Sequence, residues 1–215
     1  MTIEYSYDLL DSPRELSSYQ GWDEDVYRDL FAFRQGKLSA QALREKYTRR
    51  CAIFALDMTG FTSSTINIGE LDSLLRILDA QRVCIPVLRD FNATFIRCFA
   101  DNMVAIFESV GSAFDAAFEL HRRMEHFANS NLALAHPTKC CIGIGYGDVL
   151  AIGPDLAQGD EMNRASKLGE DTARGREVLV TENAFNALQH RDDVAFERQH
   201  KDDLLFPFFR ANIAN

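Results

Sequence analysis

The stretch at residues 51–64, CAIFALDMTGFTSS, limits what this chain can fold into more than any other. An apolar run of strand character ends on one acid, Asp57, and passes straight into Met58-Thr59-Gly60-Phe61-Thr62, a turn rich in small and hydroxyl groups. Strand, turn and helix start are therefore expected in immediate succession. An ionisable side chain that closes a buried strand is costly unless something compensates it. Two readings of Asp57 stand side by side: a cap for the helix expected from about Thr62, and a ligand of a divalent cation.

The rest of the chain supplies elements around this stretch. Residues 1–48 carry many charges and scattered aromatics, among them Tyr19, Trp22, Tyr27 and Phe31, and read as a helical extension packed on the main domain. The basic run at residues 44–50 is a solvated helix end or a phosphate-steering patch. A helix is expected over residues 62–88, with Leu71, Leu74, Leu75, Leu78 and Val83 at helical spacing and Pro86 bending its last turn. Residues 93–99 and 103–107 read as a hairpin with Asp101 at its tip, and 110–128 as a long amphipathic helix whose histidines are packing or surface residues. Residues 138–152 read as strand, glycine-bearing bend and strand; their GxGxG lacks the context of a dinucleotide loop. A helix over 159–169 carries Asn163, Arg164 and Lys167, and a strand at 177–181, a helix at 182–189 and a strand at 204–213 close the chain. Adjacent hairpins among alternating helices give an α+β fold with a mostly antiparallel sheet.

Charge and cysteines narrow the partners. A net charge of −9 over 215 residues argues against nucleic acid and anionic membrane as general partners, yet leaves room for one anionic ligand held locally. The five cysteines lie in apolar surroundings with no CxxC pair, as reduced core residues would, and no segment has membrane length, so a cytoplasmic protein is expected.

If the hairpin pairs with the 51–57 strand, Asp57 and Asp101 meet. Two carboxylates a few ångströms apart repel unless a cation lies between them, and Mg²⁺ favours one or two carboxylates completed by phosphate oxygens. Metal-assisted phosphoryl chemistry follows, with the backbone of residues 60–63 as a candidate phosphate cradle.

Taken in order, Asp57-Met58-Thr59-Gly60-Phe61-Thr62, Phe99-Ala100-Asp101, and Gly159 followed by Asn163 and Lys167 resemble the landmarks of class III nucleotide cyclases over residues 50–185. The resemblance implies a class III cyclase-like, ferredoxin-like core over residues 49–215, with Asp57 and Asp101 holding two Mg²⁺ or Mn²⁺ ions. One ion would activate the ribose 3′-hydroxyl for attack on the α-phosphate, and the other would stabilise the leaving pyrophosphate. Gly60, Phe61 and Thr62 would touch the phosphates, while Asn163 and Lys167 would reach the ribose and the transition state from the partner subunit. That arrangement is a head-to-tail homodimer with shared active sites. Lys167 stands where the family has arginine, keeping the charge and losing the fork. The purine-reading lysine and aspartate of adenylate cyclases are replaced by Arg97 and Leu156. A longer arm with a fork of donors suits a smaller base with carbonyl acceptors, unless Arg97 is only a strand residue paired with a surface acid. In this the chain resembles the pyrimidine cyclases of Pycsar antiphage systems, which implies UTP, then CTP, as substrate and a cyclic product read by a separate effector protein. An adenylate cyclase with an atypical base pocket, and a degenerate domain that only binds nucleotide, are the alternatives.

Overall fold

Strand β1 (Thr48–Met58) lies in the middle of the sheet because it is apolar on both faces: Ala52 to Leu56 are all fully buried. A computed structural model describes residues 9–19, 21–59, 69–130, 138–152 and 157–213. The described residues fall into two compact units, one running up to Arg49 and including Val149–Gln158, the other made of Arg50–Asp148 and Gly159–Asn215.

In the first unit, α1 (Pro13–Ser17), α2 (Glu24–Arg34) and α3 (Ala40–Tyr47) are short helices. Ser12 caps α1 by accepting from the Glu15 N–H, and Ser39 caps α3 through Ala42. Asp29 accepts from Lys46 at 2.6 Å and from the Tyr47 hydroxyl at 2.7 Å, which ties α2 to the end of α3.

The second unit holds most of the sheet, in the order β2-β3-β1-β4-β6-β8-β7. Its strands after β1 are β2 (Phe95–Phe99), β3 (Asn102–Phe107), β4 (Cys140–Ala151), β6 (Val178–Thr181), β7 (Val194–Gln199) and β8 (Phe208–Ile213), while β5 (Ala157–Gln158) pairs only with the end of β4. β4 and β6 are parallel; β1 with β3, β2 with β3, β6 with β8 and β7 with β8 are antiparallel. One face is covered by α4 (Glu70–Asp90) and α5 (Val110–Ser130). Phe54, Leu56, Met103 and Phe107 from the strands form a core there with Cys84, Val87 and Leu88 of α4 and Phe114, Ala117 and Leu120 of α5. The other face carries α6 (Asp160–Ser166), which runs on into a π-helical turn (Lys167–Thr172), and α7 (Glu182–Leu188) follows β6.

Four sequence expectations need correction. Residues 138–152 contain one long strand, not two around a bend: its glycines clear space for α6 instead of turning the chain. The helix expected over 159–169 changes to π geometry at Lys167. A strand at Val194–Gln199 was not anticipated, because half of its residues are polar and it lies on the sheet edge. The stripe Leu71, Leu74, Leu75 and Leu78 does lie on a helix but faces outward, 78%, 60%, 56% and 48% exposed, while Ser73, Arg76, Ala80 and Cys84 take the inner face. Helical spacing identifies a stripe without saying what covers it. Helix α4 runs through Pro86 unbroken, and all five cysteines are free, with Cys51, Cys84, Cys140 and Cys141 buried. Among the described residues no helix is long and apolar enough to cross a membrane.

Candidate active site

Cross-strand register brings the two expected acids together. Asp57 pairs with Asn102 on β3, and Asn102 pairs with Phe99 on β2, so the two-residue turn Ala100–Asp101 stands directly beside Asp57. Ala100 turns the chain at φ 49°, a left-handed conformation that costs a side chain about 1 kcal/mol. The Asp57 carboxyl is pushed up to about 6, first by burial and next by the charge of Asp101, then of Glu170 and Asp171, against a backbone hydrogen bond from Met58. Glu170 is also raised, by desolvation first and by Asp171 and Asp101, with a bond to Ser166 opposing. Negative charge is thus collected around Asp57, and of these acids Asp171 is paired with Lys167.

The Oδ1 of Asn102 is buried and has no hydrogen-bond partner among the described residues. Two carboxylates and an unsatisfied amide oxygen form a hard-donor set suited to Mg²⁺ or Mn²⁺, with substrate oxygens to complete the coordination. Among the described residues no group of three or more His, Cys, Asp or Glu side chains is placed to hold a metal ion.

Arg97 pairs with Val104, which pairs with Ala55, the rung next to that of Asp57. Partners across a sheet share a face, and so do residues two apart. Arg97 therefore stands on the Asp57 face of the edge strand, exposed, with no hydrogen bond or ion pair to a described residue.

Asn163 is exposed on α6, and Lys167 opens the π-helical turn. The Lys167 ammonium pairs with Asp171 at 2.7 Å, which raises the lysine's pKa. Asp171 in turn contributes to the negative field at Asp57, so the π-helical turn and the end of β1 are neighbours within one chain. Glu170 and Asp171 were not singled out from the sequence; the Lys167 to Asp171 spacing of one helical turn was the available signal. Gly60, Phe61, Thr62 and Leu156, also expected at the site, lie outside the described residues.

Two further features set the position of α6. Glu161 is 4% exposed, and its carboxylate accepts from the Tyr146 N–H at 3.0 Å, the Thr181 hydroxyl at 2.7 Å and the Asn183 amide at 2.8 Å. That buried acid ties the helix to β4 and to the start of α7. At Gly143 a Cβ would overlap the Ala165 carbonyl and the Gly169 nitrogen, and at Gly169 it would overlap the Ala55 carbonyl. Helix and sheet approach to backbone contact because these residues have no side chain.

No protein-family model matches the sequence, and no curated protein matches it. Solved structures do. The adenylyl cyclase CyaB from P. aeruginosa superposes with a TM-score of 0.65 at 16% identity, over 78% of this chain and 97% of that one. An adenylate/guanylate cyclase/hydrolase from Silicibacter pomeroyi gives 0.62 at 24% identity, over 76% and 95%. The guanylate cyclase domain of RhGC from Catenaria anguillulae, solved with GTP, gives 0.65 at 13% identity, over 79% and 98%. The fold is that of class III nucleotide cyclase catalytic domains, an α+β fold with a mostly antiparallel sheet.

Proposed function

We propose that this chain is a metal-dependent nucleotide cyclase that converts a pyrimidine nucleoside triphosphate, UTP before CTP, into its 3′,5′-cyclic monophosphate and pyrophosphate. The observation that carries the reading is the meeting of Asp57 with Asp101, whose charge helps raise the Asp57 carboxyl, beside the Asn102 Oδ1 that has no hydrogen-bond partner among the described residues, in a fold shared with adenylyl and guanylyl cyclases. Mg²⁺ or Mn²⁺ bound there supplies positive charge that favours the ribose 3′-alkoxide and offsets the charge of the phosphates.

Asp57 and Asp101 fix the reacting phosphate end, and Gly60, Phe61 and Thr62 follow as phosphate contacts by their place in the sequence. Arg97, unengaged on the same sheet face, offers a fork of donors to uracil O2 or O4. Leu156 replaces an acid at the base pocket and so removes the acceptor that an adenine amino group would want. Asn163 orients the ribose and Lys167 meets the charge that develops on phosphate; both are assigned to the partner subunit of a homodimer with two shared sites. A cytoplasmic setting, a role in antiphage defence and a separate effector that reads the cyclic product complete the proposal, with five unpaired cysteines supporting a reducing compartment.

A second reading, an adenylyl cyclase with an atypical base pocket, is favoured by the likeness to CyaB. Purified protein with Mn²⁺ and each of the four nucleoside triphosphates in turn separates the two. Cyclic UMP is the expected product, and cyclic AMP alone would overturn the base assignment. Asp57→Ala with Asp101→Ala is expected to abolish product from every triphosphate while the fold persists by circular dichroism. A wild type that cyclises none of the four would leave only a nucleotide-binding domain.

A further inference from the structure

Arg76 is the least expected residue on the inner face of α4. It is 8% exposed, between Ser73 and Ala80 on a helix stripe that otherwise packs against the core. Its Nε donates to the Thr138 hydroxyl at 3.3 Å, while its Nη1 is buried and has no hydrogen-bond partner among the described residues. Arg28, Arg50, Arg122, Arg123 and Arg191 are all held above the ordinary arginine value by a carboxylate bonded to them. For Arg76 the direction is reversed and burial is the cause. It has the desolvation of a buried ion pair without an anion among the described residues.

A guanidinium in that state is unfavourable unless a negative group comes to it. Its place says which kind. Thr138 precedes Lys139, whose carbonyl accepts from the Thr59 N–H at 2.8 Å. The buried guanidinium therefore stands at the end of the sheet where β1 delivers Asp57 and Thr59. Thr138, which accepts from Arg76, keeps its own hydroxyl proton to donate. Fork and hydroxyl together match the tetrahedral oxygens of a phosphate.

We propose that Arg76 and Thr138 form an oxyanion site for a phosphate group, filled by the polyphosphate tail of the nucleotide or by the pyrophosphate that leaves. This assignment of the tail rests on the cyclase reading; free inorganic phosphate has the same chemistry and is the other source. Binding there supplies the missing counter-charge, so ligand and fold stabilise one another.

Thermal unfolding of the full chain with inorganic pyrophosphate, with inorganic phosphate and with neither tests it. The wild type is expected to gain several degrees with pyrophosphate. Arg76→Leu, which replaces an unpaired buried charge by an apolar side chain, is expected to unfold no earlier than wild type without anion, and to bind pyrophosphate about tenfold more weakly or worse. Arg76→Gln keeps a donor for Thr138 and drops the charge, and is expected to lose the gain as well. A gain with inorganic phosphate equal to that with pyrophosphate, and likewise dependent on Arg76, identifies the free ion as the occupant. A pyrophosphate gain that is the same in wild type and both variants overturns the site, whether or not the protein is an active cyclase. Conversely, an Arg76-dependent gain in a protein that cyclises none of the four triphosphates keeps the site and removes the cyclase.

Discussion

The ring of His121 on α5 packs toward β4 with its Nε2 3.1 Å from the Cys140 carbonyl, where the neutral imidazole donates its proton. Burial, with Arg176 adding to it and the bond to Cys140 opposing, pushes its pKa down from 6.5 to about 4. The unfolded chain therefore binds more protons than the folded one between those values. Stability is full above pH 6.5 and is lost as pH falls toward 4, by roughly 2–3 kcal/mol from this residue. Urea unfolding at pH 7.5 and 4.5 is expected to show that loss in wild type and a much smaller one in His121→Gln; equal losses in both would assign the acid sensitivity elsewhere. The sequence marked the histidines of this amphipathic helix as surface or packing residues, not ligands. It marked Asp57 and Asp101 too, since an acid that ends an apolar run and an acid at a hairpin tip are visible in one dimension. Arg76 and Asn102 were invisible. Their importance is an absence of partners, and a missing partner has no sequence signal.

At the scale of elements, the approach of α6 to the sheet decides where Asn163 and Lys167 stand. Gly143 on β4 faces the backbone at Ala165 and Gly169, and Gly169 in turn faces Ala55 of β1. An added methyl meets backbone, which cannot rotate away, so Gly143→Ala is expected to cost about 2–3 kcal/mol and to shift the π-helical turn outward. Chemical denaturation measures the first. For the second, the cyclase reaction should lose kcat in the fraction that remains folded, because Lys167 begins that turn. An unchanged midpoint would mean that the helix gives way freely. The same glycines explain a misreading: residues without side chains look like a bend in a sequence, whereas here the strand is straight and the partner helix needs the room. The switch from α to π geometry was equally hidden, because one extra residue in a turn leaves the apolar spacing nearly intact. Hairpin and long helices were legible because periods of two and of 3.6 persist over many residues. The outward leucines of α4 have the right period and the wrong face, which only the packing of Ser73, Arg76, Ala80 and Cys84 reveals.

For the whole molecule, the question is whether one chain completes its own site. Lys167 is bound to Asp171, and Asp171 lies within the field of Asp57, so the basic group and the acids are not far apart in a single chain. Yet that lysine is already paired with its own neighbour, and Asn163 one turn earlier is exposed. In the proposed homodimer the site draws its acids from one subunit and Asn163 with Lys167 from the other. It also makes a quantitative demand. Asp57→Ala and Lys167→Ala are each expected to be inactive alone. Mixed in equal amounts and allowed to exchange, half of the dimers pair one variant with the other, and each such dimer has one site with both lesions and one with neither. Activity should then return to roughly a quarter of the wild-type value per chain. If each chain instead built its site from its own Asp57 and Lys167, every site in the mixture would carry one lesion, and no exchange of subunits could restore turnover.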